Sequence, residues 1–128
     1  MYDIVNRVEA YPEFLPWCGG ARLHYEDETS LEASIMIKLA GVEQWFKTRN
    51  SMVPGESIEI MLLDGPFKHL HGHWRFTPLD DAGCKIELLL GFEFKRGLAA
   101  AVIAPAFTRI ANTMVDSFCQ RARDLHGQ

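Results

Sequence analysis

From Leu31 to Phe94 apolar and polar residues alternate with a period of two, the pattern of β-strands that have one covered face. Leu31, Ala33, Ile35, Ile37 and Leu39 share one face of the run from Leu31 to Ala40, and Ile58, Ile60 and Leu62 share one of the run from Ser57 to Leu63. Leu70, Gly72, Trp74 and Phe76 alternate with His69, His71, His73, Arg75 and Thr77; Cys84, Ile86, Leu88, Leu90, Phe92 and Phe94 then share a face. Turn signals separate the runs: a bend at Gly41, Pro54-Gly55, Asp64-Gly65-Pro66 and Asp80-Asp81-Ala82-Gly83. With Arg22 to Asp27 and Val42 to Val53 added, the pattern predicts six strands joined by short turns, an antiparallel meander.

The period changes at both ends. Ile4, Val5 and Val8 lie at helical spacing within Met1 to Ala10. Tyr11-Pro12-Glu13-Phe14-Leu15-Pro16-Trp17 reads as a short helical turn opened by one proline and stopped by the next, and Gly19-Gly20 closes that unit. From Gly97 to His126, Ile103, Phe107, Ile110, Met114, Phe118, Ala122 and Leu125 recur three or four apart, so a long amphipathic helix must lie against the sheet. The fold class is α+β.

Composition narrows the reading. The chain has 128 residues, 48% of them hydrophobic, with no repeat or linker, so a single domain spanning 1–128 is expected. The apolar run from Leu98 to Phe107 is too short to span a bilayer and no secretory pattern opens the chain, which predicts a cytoplasmic protein. Three widely spaced cysteines without a C-x-x-C pair argue for reduced thiols. A net charge of −4 opposes indiscriminate nucleic-acid binding but leaves room for a local basic patch.

The run from Val42 to Val53 is chemically unlike its neighbours. The parity that holds Val42, Phe46 and Met52 also holds Gln44, Thr48 and Asn50, polar groups that are costly to bury unless neighbours, water or a ligand satisfy them. Glu43, Trp45, Lys47, Arg49 and Ser51 form the more charged parity, expected outside unless a bulge near Gly41 slips the register. His69, His71 and His73 share a strand face, but no local Asp or Glu completes a metal site and that face points outward, so solvated histidines and no metal are expected. Cys18 has no adjacent His or basic residue to activate it and reads as a structural thiol. The inward faces supply no Ser-His-Asp set, no carboxylate pair and no nucleophile elbow, so no catalytic residue is assigned and enzyme activity is not expected.

VNRVEAYPEFLPWC, KTRNSM, LDGPFKHLHGHWRFTPL and FEFK, in that order along nearly the whole chain, resemble the ribosome-association toxin and coenzyme Q-binding branch of the START-like polyketide cyclase/dehydrase superfamily. The resemblance implies a START-like helix-grip fold, a curved antiparallel sheet clasping a long C-terminal helix around a tunnel-like pocket. It implies two roles of different class. One is a toxin that binds the large ribosomal subunit and blocks subunit joining; the other is a carrier of ubiquinone or another isoprenoid lipid. A polyketide cyclase or aromatase role rests on the superfamily name alone. No cofactor is required.

The aromatic residues Phe14, Trp17, Phe46, Trp74, Phe76, Phe92, Phe94 and Phe107, with Ile110 and Met114 from the last helix and the polar Gln44, Thr48 and Asn50, are the expected lining for such a hydrophobic ligand. Lys47, Arg49, Lys68, Lys95 and Arg96 are candidate phosphate contacts on a ribosome. The family usually opens with a strand before the first helix, whereas Met1-Tyr2-Asp3-Ile4-Val5 matches a point inside that helix. Either Met1 is a truncated start of a longer chain that carries this strand, or a missing first strand leaves backbone groups unpaired at a sheet edge and favours a homo-oligomer or a rearranged segment.

Overall fold

The computed structural model describes residues 2–39, 41–79 and 84–125. The expected turn at 80–83, the expected element ends at Met1, Ala40 and His126, and the side chain of Cys84 lie outside them. Six strands form one sheet in chain order, each antiparallel to the next: β1 (Cys18–Glu26), β2 (Ser30–Leu39), β3 (Val42–Val53), β4 (Ser57–Asp64), β5 (Phe67–Pro78) and β6 (Cys84–Phe94). A helix α1 (Tyr2–Asn6), a 3-10 turn (Val8–Ala10) and a short helix α2 (Tyr11–Phe14) precede them, and α3 (Leu98–Leu125) follows. The meander and the long last helix agree with the alternation and its change of period.

Packing selects the faces. The inward parity of β2 is sealed, with Leu31, Ala33 and Ile37 at 1%, 0% and 0% exposure. In β3 the mixed parity points inward: Phe46, Thr48, Asn50 and Met52 are buried, while Trp45, Arg49 and Ser51 are exposed. Ile103, Phe107, Met114 and Phe118 bring α3 down on this face, and Val5, Val8, Tyr11 and Leu15 close it from the N-terminal segment. Leu125 departs from the expected stripe and is 56% exposed, in the last turn of the helix beside α1 residues Asp3 and Ile4.

Three local readings change. The first ten residues are not one helix: the backbone breaks at Arg7 (φ −88°, ψ 75°), and the buried Tyr11 hydroxyl donates to the Val5 carbonyl, satisfying a helix-end acceptor. Gly19 and Gly20 do not close the N-terminal unit; they lie inside β1, which begins at Cys18. A Cβ on Gly19 would approach Met36 Sδ to 2.8 Å, so the residue is small because the neighbouring strand passes close by. Phe67, four positions into the turn-and-strand segment that opens at Asp64, is 1% exposed although its parity is opposite to Leu70; a register shift between Phe67 and His69 carries it to the inner face. Gly65, at φ 149° with the Phe46 Cβ only 2.6 Å from where its own would stand, permits this tight entry into β5.

Candidate binding cavity

Between the sheet and α3 lies a cavity of about 80 Å³ with a mainly apolar wall. Seven of the expected residues meet there: Trp17, Phe46, Thr48, Asn50, Trp74, Phe107 and Met114. The others are held nearby for other purposes. Phe92 and Phe94 pack with Phe67 and Phe107 in an aromatic cluster, their rings 4.9 and 5.7 Å from Phe107. Phe76 stacks on Trp74 at 6.0 Å and receives the edge of Tyr2. Phe14 packs against Phe118 under the guanidinium of Arg121. Gln44 is half-buried opposite Ile37, and Ile110 is half-buried on α3.

Sequence reasoning did not single out Tyr11, Phe118, Ile60, Leu88 or Leu90, all of which face the cavity. The strand residues were legible as inward-facing, but which inward residues border a void depends on what stands opposite. Gly72 shows this: it faces inward between Ile60 and Leu90, where a Cβ would meet their methyl groups at 3.2 and 3.3 Å, so the glycine makes room for these two lining side chains.

The polar chemistry of the wall is sparse. Thr48 Oγ1 donates to Asn50 Oδ1 at 3.2 Å, and both residues are about 95% buried. Burial pushes the Tyr11 phenol far above its usual range, so it stays protonated at all ordinary pH. No carboxylate, histidine or cysteine lines the cavity among the described residues. Cys18 is buried, donates to the Gly20 carbonyl at 3.3 Å, and has its thiol pKa raised by burial, an effect the hydrogen bond partly offsets. Such a wall can hold an apolar body beside one polar pair, Thr48 and Asn50; it has no group poised to move a proton near neutral pH.

Outside the sheet, the candidate cations divide. Lys47 and Arg49 both reach Glu32, at 3.8 and 2.9 Å, and Lys68 reaches Glu93 at 3.3 Å. Lys95 and Arg96 are exposed and have no ion-pair partner among the described residues; the Lys95 amide donates to the Pro66 carbonyl, which places this pair beside the turn into β5. His71 meets Glu59 of β4 at 2.9 Å and His69 meets Glu93 of β6 at 3.6 Å, cross-strand partners that local sequence could not show. Each histidine thus has one carboxylate, and no group of three or more His, Cys, Asp or Glu side chains suited to a metal ion occurs among the described residues.

A curved antiparallel sheet closed by a long C-terminal helix over an apolar hollow defines a helix-grip domain of START type. The chain belongs to the polyketide cyclase / dehydrase and lipid transport family, whose model matches residues 1–119. It is 47% identical over 127 residues to the ribosome association toxin RatA of Pseudomonas aeruginosa, covering 99% of this chain and 88% of that one. It is 28% identical over 133 residues to the mitochondrial coenzyme Q-binding protein COQ10 homolog B of Xenopus laevis, covering all of this chain and 54% of the relative. Among solved structures, the Zhui aromatase/cyclase of Streptomyces sp. R1128 superposes with a TM-score of 0.78 at 16% identity, covering 97% of this chain and 86% of that one, a likeness of fold. No helix among the described residues is long and apolar enough to cross a membrane.

Proposed function

We propose that the protein is a ribosome-directed regulator, acting in the cytoplasm, that binds the large ribosomal subunit and blocks subunit joining. The observation that carries this reading is 47% identity, sustained over 99% of the chain, to a protein named a ribosome association toxin. The cavity supports a non-enzymatic role, since its wall offers no general acid or base near neutral pH. A net charge of −4 requires that docking on ribosomal RNA use a local basic surface. Lys95 and Arg96 are the foremost candidates because Lys47, Arg49 and Lys68 already face carboxylates. Sucrose-gradient profiles of ribosomes with and without the protein test the reading: free subunits should accumulate at the expense of joined ribosomes, and an unchanged profile at saturating protein rejects it.

A second reading, a carrier of ubiquinone or another isoprenoid lipid, is favoured by the Thr48 and Asn50 pair in an apolar wall. Volume weighs against it as the main role. Pockets for small molecules occupy roughly 300–1,000 Å³, and a cavity of about 80 Å³ must expand to take a quinone ring. Extraction of bound lipid from purified protein, read by mass spectrometry, decides between the two.

A further inference from the structure

The outer face of the sheet carries a tryptophan that the cavity does not use. Trp45 points outward from β3 and is 40% exposed, whereas Trp17 and Trp74 are buried at 7% and 3%. Its indole reaches across β2. Trp45 stands opposite Met36, Met36 stands opposite Gly20 of β1, and a Cβ on Gly20 would come within 3.2 Å of the indole Cη2. The glycine leaves room for the ring, and the Arg22 guanidinium sits over it, 4.9 Å from its centroid. These contacts hold an aromatic plane in place at the surface.

A lone exposed aromatic is ordinary; the charge around this one is not. Arg22, Lys38, Lys47 and Arg49 share the outer face of β1 to β3 with it. Lys95 and Arg96 lie at the same end of the sheet: the Lys95 amide donates to the Pro66 carbonyl, and Gly65 abuts Phe46, the residue after Trp45. Glu32, Glu43 and Asp64 offset only part of this charge, and Lys68 with Glu93 adds none. In a chain of net charge −4, this end is positive. We propose that it binds single-stranded RNA, an unpaired base stacking on the Trp45 indole and the flanking phosphates meeting Arg22, Lys95 and Arg96. Every base has a π-face, so stacking tolerates any sequence, and cations beside the ring attract the backbone. A base inside a duplex is already covered by its neighbours, which selects unpaired strands. The inference rests on the ribosome reading for the source of the RNA, but the binding step itself needs no ribosome.

Fluorescence anisotropy of a labelled, mixed-sequence single-stranded oligoribonucleotide tests this with the full chain. It should bind more tightly than a duplex of the same length, and the affinity should fall with salt. Trp45→Leu should weaken binding about tenfold or more, and Trp45→Phe should recover most of the loss. Leu125→Ala, exposed on the last helix, should change nothing. Circular dichroism checks that each variant is folded. The unsubstituted chain gives a reading that depends on no variant: RNA should quench its tryptophan emission and shield the exposed indole from iodide. No binding of the oligoribonucleotide, binding indifferent to Trp45→Leu, or emission unmoved by RNA overturns the proposal. The two readings separate cleanly. RNA binding that Trp45→Leu abolishes, with subunit joining unaltered, upholds this site and rejects the ribosome reading; a protein that blocks joining but binds no RNA does the reverse.

Discussion

β2 and β6 carry the same alternation and meet different fates. In β2 the inward Leu31, Ala33, Ile35 and Ile37 are at 1%, 0%, 7% and 0% exposure, whereas every described inward residue of β6, from Ile86 to Phe94, is half-buried. Alternation encodes which way a side chain points; cover is supplied by neighbours. β2 lies between β1 and β3, while β6, among the described residues, has β5 on one side and α3 packed against it. Two strands with the same alternation therefore contribute unequally to stability.

The largest expected difference is in truncation. Ile37→Ala should cost about 3–4 kcal/mol because the site is sealed on all sides, and Ile86→Ala about 1–2 kcal/mol because part of its surface is already wet. Urea denaturation of the two variants measures the gap; equal losses would show that β6 is as tightly covered as β2.

The buried polar pair of β3 is the next test. Thr48→Val removes the donor to Asn50 and should cost about 1–2 kcal/mol, leaving a buried acceptor without its partner. Asn50→Leu combined with Thr48→Val should recover most of that loss, since apolar groups of similar shape suit an apolar wall. A double variant as unstable as the sum of its parts would mean that water in the cavity, and not the pair itself, satisfies these groups.

A smaller effect belongs to the alkaline limb. Burial raises the Cys18 thiol pKa in the folded state above its unfolded value of about 8.5. Its contribution is therefore full below that pH and lost as pH rises through it toward the folded value. The melting temperature should fall above about pH 8.5, and Cys18→Ala should flatten part of that fall. Native-state alkylation of Cys18 should also be slow compared with the same reaction in denaturant. Rapid alkylation of the folded chain would show that the thiol is reached by solvent.

Much of the architecture was legible because it rests on period. The observed β3 matches the run from Val42 to Val53 and β6 that from Cys84 to Phe94, and the inward choice of Thr48 and Asn50 over Arg49 follows from the cost of burying charge. What escaped were features made by contacts between distant segments. Phe67 is the hub of the aromatic cluster, touching Phe46, Phe92, Phe94 and Phe107, yet a bulge places it out of phase with its own strand. The cavity was readable as an apolar hollow, but its small volume depends on how closely Phe107, Met114 and Phe118 descend, which no local pattern encodes. The basic residues could be named one by one; their neutralisation by Glu32 and Glu93 comes from cross-strand register.

Binding to separated ribosomal subunits tests the central claim most directly. The protein should pellet with purified large subunits and not with small ones, and preloading the large subunits with it should prevent their joining. Lys95→Glu with Arg96→Glu should weaken pelleting while leaving the melting temperature unchanged, and rising salt should weaken the wild type in the same way. Failure to pellet with large subunits, or subunit joining that proceeds unaltered with the protein bound, would contradict the account.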